Sequence, residues 1–275
     1  MMKTFRLSPR EITARSLLAA LVLLCFAGCA STSRQPSQAT LRVMTYNIHH
    51  GEGLDKRVDL QRIADLIKRE QADIVALQEV DKSVQRTARR DLPAELAALT
   101  GLACVFSNNY HFQGGEYGNA VLTRFPIKRW TNAHYKMLRP GEQRGILQVV
   151  LDVHGRELVF MATHIDYRGD DSERLLSAAE IKELIEQYRG RPMILCGDFN
   201  DTPTSRTHQQ IAENFTDAWA AVGTGDGFTI PAEKPRKRID YIWLGKGSSL
   251  TPLKVWVPES AASDHLPVVA ELRFQ

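Results

Sequence analysis

Six places in the 275-residue chain end an apolar run, or adjoin one, with side chains that can do chemistry. They are Asn47, Glu79, His164, Asp198 with Asn200, Asp240, and Asp264 with His265. Glu79 and the aspartates supply hard oxygen ligands suited to Mg2+ or Mn2+. The histidines and remaining carboxylates can move a proton or hold a developing charge. Such a set can polarise a phosphoryl oxygen, activate water and stabilise a leaving alkoxide. Taken singly, each has a plainer reading. Gly197-Asp198-Phe199-Asn200 is equally an ordinary Asp/Asn turn after a strand, Asp240 can cap a turn, and a lone His164 is better read as a satisfied core histidine. Their recurrence at one kind of position favours a shared site, because strand ends on one sheet edge converge. Other chemistries lack their motifs. There is no HExxH and no Cys/His cluster for zinc, no Gly-x-Ser-x-Gly elbow, and no Walker loop or GxGxxG after a strand.

The elements that must position these groups read as alternating strands and helices. Residues 41–48 alternate as a strand should and end at Asn47. Residues 58–70 carry a helical period, and 73–80 form a buried strand delivering Gln78-Glu79. This strand–helix–strand spacing favours helices layered on a sheet. Residues 81–91 are charged and loop-like, and Pro93 suits the start of a short helix to Thr100. A strand over 102–106 is followed by a glycine-rich loop, 112–119, and a strand over 120–123. Residues 146–153 and 157–163 form a hairpin about His154-Gly155-Arg156. Ser172 is placed to cap a helix over 173–188, with Leu175, Leu176, Ala179, Ile181, Leu184 and Ile185 facing inward. Residues 193–196 are the strand before Asp198, with Phe199 directed back into the core and Asp201 left as a turn residue. A short helix begins at 203–205, and 214–227 is irregular. Strands follow at 239–244, 250–257 and 268–274.

The first residues stand apart. A basic lead (Lys3, Arg6, Arg10, Arg15) precedes an apolar run from Leu17 to Ala27, the pattern of a signal peptide too short to span a membrane comfortably. Phe26-Ala27-Gly28-Cys29 is similar to a lipobox, with Cys29 as the lipidated residue. The expected organisation is a signal segment over 1–29, a flexible Ser/Gln/Thr-rich tether over 30–40 and one folded domain over 41–275. The expected location is the bacterial cell envelope as an anchored lipoprotein, or secreted or periplasmic if Cys29 stays unmodified. Removing the four Lys/Arg and one Asp/Glu of residues 1–28 from totals of 35 and 32 leaves 31 of each sign. A formally neutral domain lacks the basic field of a non-specific nucleic-acid binder. Cys104 and Cys196 read as two buried thiols rather than a disulfide framework.

Seven stretches together resemble the ordered motifs of the endonuclease/exonuclease/phosphatase (DNase I-like) superfamily. They are Thr45-Tyr46-Asn47-Ile48, Leu77-Gln78-Glu79-Val80, Gly118-Asn119-Ala120-Val121-Leu122, Thr163-His164, Gly197-Asp198-Phe199-Asn200, Arg238-Ile239-Asp240-Tyr241-Ile242 and Ser263-Asp264-His265-Leu266-Pro267-Val268. Asn47-Ile48-His49-His50-Gly51 and Asp171-Ser172-Glu173-Arg174 resemble its small bacterial metal-dependent hydrolase branch, similar to the hydrolase domain of GPI-anchor lipid remodelling proteins. The resemblance implies a four-layer α/β sandwich, two mixed β-sheets face to face with helices outside. It implies that Glu79 ligates a divalent metal, Mg2+ or Mn2+, with Asn47 beside it. Asp198 would orient or deprotonate water, and Asn200 would bind a phosphate oxygen. Asp264 would hold His265, and His164 would be a second phosphate-side histidine. Asp240 would fix His164 or join the metal site, Glu116 would pair with His164, and Arg144 would touch phosphate.

The function so implied is a Mg2+/Mn2+-dependent phosphoester hydrolase. The expected substrate is a lipid or small-molecule phosphodiester, met by a monomer tethered to a membrane through lipid. Arg86, Arg89, Arg90 and residues 235–238 keep an endonuclease as the alternative, since local basic loops can grip a nucleic-acid backbone. A catalytically inert binding module that keeps the fold is the lesser alternative.

Overall fold

Strict alternation along the strands sorts the apolar side chains into three separate cores, and these define the layers. The computed structural model describes residues 40–274. The signal segment with Cys25 and Cys29, and the tether up to residue 39, lie outside the described residues. Twelve strands among the described residues form two six-stranded sheets. The first contains β1 (Thr40–Asn47), β2 (Ile74–Lys82), β3 (Ala103–Phe112), β4 (Gly115–Thr123), β11 (Leu250–Trp256) and β12 (Val268–Phe274), in the order β11-β12-β1-β2-β4-β3. The second contains β5 (Ile127–His134), β6 (Gly145–Val153), β7 (Arg156–His164), β8 (Met193–Asp198), β9 (Phe215–Asp217) and β10 (Asp240–Gly245), in the order β5-β6-β7-β8-β10-β9. Each sheet is mixed. β1 runs parallel to β2 and antiparallel to β12, and β8 runs parallel to β7 and antiparallel to β10.

Val43, Ala76 and Val121 of the first sheet share one core with Leu147, Phe160, Cys196 and Ile242 of the second. Their sequence neighbours face the other way. Met44, Val75 and Leu122 pack with Ile63 and Ile67 of helix α1 (Leu60–Arg69) and Leu96 of α2 (Leu92–Thr100). Val150, Met161 and Leu195 pack with Ala178, Ile181 and Ile185 of α3 (Ser172–Ile185) and Ile211 of α4 (Arg206–Ala212). Helix, sheet, sheet, helix is the expected four-layer α/β sandwich. The helix starts are chemically marked. Asp59 accepts from the Gln61 amide, Asp91 from Ala94 and Ser205 from His208.

Several local expectations fail. The segment 112–119 is not a loop but a tight hairpin at Gln113-Gly114, with Gly115–Thr123 in β4. Its glycines serve close packing. A Cβ on Gly118 would come within 1.9 Å of the Ser107 carbonyl oxygen across the β3–β4 ladder. The inner face of α3 is rotated from the one its leucines suggest. Glu173 and Arg174 are buried, while Leu175 and Leu176 are only partly so. Polar tethers override the apolar period: Glu173 accepts from the Leu138 and Arg139 amides, and Arg174 donates to Asp201 at 3.0 Å. Ser172 falls inside the helix, and Asp171 takes the cap position. Residues 214–227 hold β9 and the short helix α5 (Ala218–Val222). Of the two cysteines, Cys196 is buried and Cys104 only partly, and both are free.

Overpacking a strand pair typically costs about 1–3 kcal/mol. Gly118→Ala is therefore expected to lower unfolding stability by about that amount, read as a lower urea midpoint. A midpoint equal to wild type would show that β3 and β4 do not need this close approach.

Candidate active site

Strand register assembles the site. The parallel β7–β8 pair sets His164 opposite Asp198, and the antiparallel β8–β10 pair sets Asp240 opposite Asp198. One rung of the second sheet thus ends in an imidazole and two carboxylates. The first sheet supplies Asn47 from the tip of β1 and Glu79 from β2. Glu79 sits where the β2–β4 register slips between Leu77 and Val80, with φ +59°. Asn200 has φ +47°. A left-handed non-glycine residue costs on the order of 1–3 kcal/mol and persists only where surroundings over-determine it. Both strained residues aim a polar side chain at the same spot.

Asn47 is the hinge of the hydrogen-bond network. Its Oδ1 accepts from the His49 amide at 3.1 Å, which leaves Nδ2 to donate to Glu79 Oε1 at 3.0 Å and to Asp198 Oδ2 at 3.1 Å. Asp198 Oδ1 accepts from the Asn200 amide at 2.8 Å. His265 donates from Nδ1 to Asp240 Oδ2 at 2.9 Å, while its Nε2 lies 3.7 Å from Asp198 Oδ2. His164 Nε2 lies 3.5 Å from the same oxygen. Arg144 Nη1 is 2.9 Å from His164 Nδ1. A guanidinium can only donate, so Nδ1 accepts and the proton sits on Nε2. Asn200 Nδ2 donates to the Ile165 carbonyl at 3.1 Å and abuts His164 Nε2 at 3.0 Å.

These contacts separate the proton affinities. Burial drives the His164 imidazole well below its ordinary range, and the neighbouring Arg144 and His265 add to this, so His164 is neutral. Burial also opposes the charge on His265. The carboxylates of Asp240, Asp198 and Asp264 outweigh it and lift His265 to about 10. Asp198 is raised far above the ordinary carboxylate range, first by burial and then by Asp240, with His265 opposing. The result is an imidazolium between two carboxylates, one of which, Asp198, is poised to take a proton. Groups with opposed shifts in one cleft are the pattern of acid–base work.

Two roles implied by the resemblance change partners. His265 is held by Asp240, not by Asp264. Asp240 is cross-strand to Asp198, whereas the Asp264 side chain is 44% exposed on a loop, 3.8 Å from His49 Nδ1. Glu116 pairs with Lys82 at 3.4 Å rather than with His164, whose Nδ1 partner is Arg144. The hairpin register explains this, since Gly145 stands opposite His164 and brings Arg144 alongside. Glu79, Asn47, Asp198, Asn200, His164, Asp240 and His265 do converge. Phe199 points back into the core against Tyr241 and Trp243, and Asp201 anchors Arg174.

Glu79, Arg144, His164, Asp198, Asn200 and His265 form one wall of a cavity of about 240 Å³. Its other wall was not evident in the chain: Arg86, Tyr110, Phe112, Tyr117, Glu142 and Tyr167. The alternation of Tyr110 and Phe112 in a strand was the available signal. The Arg86 guanidinium lies 5.0 Å from the Phe112 ring centre and 5.5 Å from that of Tyr117, and forks onto Asp81 at 2.8 and 2.9 Å. The donor set suits a hard divalent cation. Glu79 presents a carboxylate to the cavity, and Asp240 Oδ1 is buried without a hydrogen-bond partner. A ligand oxygen of Asp198 and one of Asp240 lie within 4.8 Å of each other. Buried acceptors left over in this way are the kind a cation satisfies.

The sequence profile of the Endonuclease/Exonuclease/phosphatase family matches residues 44–265. Protein YbhP of Escherichia coli K12 is 27% identical over 256 residues, covering 87% of this chain and 99% of YbhP. A 5'-tyrosyl-DNA phosphodiesterase of Caenorhabditis elegans is 25% identical over 194 residues, covering 66% of this chain and 48% of that protein. Among solved structures, an endonuclease/exonuclease/phosphatase from Beutenbergia cavernae superposes with a TM-score of 0.72 at 26% identity, covering 86% of this chain and 72% of that one. A mannosyl-6-phosphatase of Bacteroides thetaiotaomicron shares the fold, with a TM-score of 0.71 at 20% identity over 84% of this chain and 99% of that one. The profile takes in strands of both sheets and every converging strand end from Asn47 to His265, and the chain belongs to the Endonuclease/Exonuclease/phosphatase family.

Proposed function

We propose that this protein is a Mg2+- or Mn2+-dependent phosphodiesterase acting on a lipid headgroup or other small-molecule phosphodiester. The family is hydrolytic, typically depends on a divalent metal, and includes enzymes of phosphodiesters, nucleic acid among them. The observation that carries the narrower reading is the second cavity wall. Aromatic rings and Arg86 close about 240 Å³ beside the polar rung, a space on the scale of a small ligand. The basic loops that argued for nucleic acid are largely spent internally. Arg86 is forked onto Asp81, Arg90 onto Glu95 at 2.6 Å, and buried Arg238 onto Asp217 at 2.7 Å, while Arg89 donates to the Gly114 carbonyl.

In this reading Asp198 takes the proton of the attacking water, as its raised proton affinity suits. Asn200 donates to a phosphate oxygen. The His265 imidazolium, fixed by Asp240, faces the charge that builds on the phosphoryl group. Neutral His164 offers Nε2–H to the same group, with Arg144 setting its tautomer. Glu79, with Asn47 beside it, would hold the cation, which when bound supplies Lewis-acid polarisation of the phosphoryl oxygen. The nuclease reading keeps one support, the 5'-tyrosyl-DNA phosphodiesterase among the relatives. Export and lipid attachment at Cys29 belong to the same proposal. Among the described residues no helix is long and apolar enough to cross a membrane, so a tether would be the means of attachment.

Asp198→Asn is expected to lower turnover about 10²–10⁴-fold with an unchanged circular dichroism spectrum; a fully active variant would sink the assignment. The substrate class is read by assaying the wild type with Mg2+ or Mn2+ against phospholipid vesicles, a bis-aryl phosphodiester and plasmid DNA. Hydrolysis of the first two with DNA intact is expected, whereas DNA cleavage that weakens steeply with salt would replace this reading by the nuclease.

The pH profile follows from the sign of the Asp198 shift. Its folded-state proton affinity is raised, so the base form is lost as pH falls through a value above the ordinary carboxylate pKa of about 3.9. kcat/KM should therefore fall on the acid side well before pH 4, and a flat profile to that pH would remove Asp198 as the base. Cys29→Ser is expected to move the protein from the membrane fraction to the soluble fraction, and an unchanged distribution would remove the lipid tether.

A further inference from the structure

The turn that follows β1 holds a cluster the phosphoester chemistry does not use. His49–Gly51 forms one turn of 3-10 helix, closed by hydrogen bonds from the Gly51 amide to the Ile48 carbonyl and from the Glu52 amide to the His49 carbonyl, both 2.8 Å. His49 and His50 both have left-handed backbones, with φ +45° and +44°. The effect is to bring two consecutive imidazoles together, their centres 4.4 Å apart, with the Glu52 carboxylate beside them. One ligand atom from each of His49, His50 and Glu52 lies within 4.8 Å of the others.

The His50 side chain is the anomaly. The residue is only 7% exposed, and its Nδ1 is buried with no hydrogen-bond partner. Its Nε2 faces Glu52 Oε2 at 3.8 Å, beyond hydrogen-bond range. Leaving the buried Nδ1 unpaired forfeits on the order of 1–3 kcal/mol, and such a group calls for a missing partner. A neutral imidazole is the form that ligates metals.

We propose that His49, His50 and Glu52 bind a divalent transition-metal ion, of the zinc class, at a site separate from the Glu79 centre. Two imidazoles and one carboxylate are a borderline-soft donor set that prefers Zn2+ to Mg2+, with a position left for water. Ligand distances of about 2.0–2.2 Å put tetrahedral ligand atoms roughly 3.3–3.6 Å apart, so side-chain shifts of about 1 Å close the cluster. Glu52 would then exchange its contact with Lys56, 3.4 Å away. The donors lie only three positions apart, and no HExxH spacing announces them; the left-handed turn alone brings them together. The ion would brace a junction of loops. The Leu54 amide donates to the Ala261 carbonyl at 3.0 Å, and His49 Nδ1 lies 3.8 Å from Asp264, so this turn abuts the segment that carries His265.

The test uses the full-length protein in detergent, stripped of metal and titrated with Zn2+ by calorimetry and with Co2+ by absorption spectroscopy, both in excess Mg2+. Glu79→Gln, which disables the phosphoester centre, is expected to retain one tight Zn2+ site. Its Co2+ form should show the visible bands of a low-coordinate nitrogen–oxygen site and no thiolate charge-transfer band. His50→Gln in the Glu79→Gln background is expected to weaken that site at least about 100-fold, as removal of a metal-fixing contact typically does. His49→Gln, in a partly exposed ring, does the same and covers the case in which the His50 variant misfolds. Zn2+ should raise the melting temperature of Glu79→Gln but of neither histidine variant. Loss of all Zn2+ binding in Glu79→Gln alone, or equal binding in the histidine variants, would overturn the proposal. Failure of phosphodiester hydrolysis would leave these binding results unaffected.

Discussion

Everything at this site depends on one side-chain amide bridging two sheets. Asn47, at the end of β1, gives both protons of Nδ2 to carboxylates, one on its own sheet (Glu79) and one on the other (Asp198). Hydrogen bonds to charged groups contribute about 1.5–3 kcal/mol each. That is the same order as the strain at Glu79 and Asn200, which is why those backbones can be held where they are. The orientation of the amide is itself fixed from outside, by the His49 amide on Oδ1, and Ser263 Oγ donates to the Asn47 carbonyl at 2.8 Å. A second asparagine repeats the device further along the seam. Asn119, on β4, donates to the carbonyls of Gly145 and Ala162 on the opposite sheet. Apolar packing brings the two sheets together without fixing their relative slide, since it is non-directional. Directional bonds limit the slide: those of these two asparagines, with Asn132 of β5 donating to Asn109 Oδ1 of β3 at 3.0 Å, and of these Asn47 sets the distance between Glu79 and Asp198.

The fold and most of the site were legible in the chain because both are carried by local pattern. Alternation marks strands, and a polar residue where an apolar run stops marks a strand end, so Glu79, His164, Asp198 and Asp240 could be found without coordinates. Their partners could not. Whether Asp240 or Asp264 meets His265 is decided by the register of β10 against β8, which sets Asp240 opposite Asp198 across the sheet, and the role implied by the resemblance fell on the wrong carboxylate. Arg144 reaches His164 for the same reason, through the register of β6 on β7. The aromatic wall at Tyr110, Phe112 and Tyr117 was hidden by Gly114, Gly115 and Gly118. All three read as loop punctuation, but Gly115 and Gly118 are there because the backbones of β3, β4 and the segment at Ser83 approach too closely for a Cβ, and Gly114 because the hairpin turn holds φ at +75°. The inner face of α3 was hidden by buried charges, which an apolar moment cannot register.

The charges of the rung follow from this geometry and limit what it can do. Three acidic or basic side chains, Asp198, Asp240 and His265, are taken out of water within one small volume. Isolated, each would lose its charge. Together they settle into one cation between two carboxylates, a cluster with a net negative charge and an unsatisfied Asp240 Oδ1. Adding a carboxylate from Glu79 deepens that negative potential. In the proposed reading an anionic phosphoester would meet that potential, and a cation held by Glu79 would answer the demand for positive charge there. The basic side chains at the cavity do not meet that demand, because Arg86 is committed to Asp81 and Arg144 to Glu142 and His164. A cation at Glu79 would supply that charge and, through its own field, would lower the proton affinity of the neighbouring Asp198.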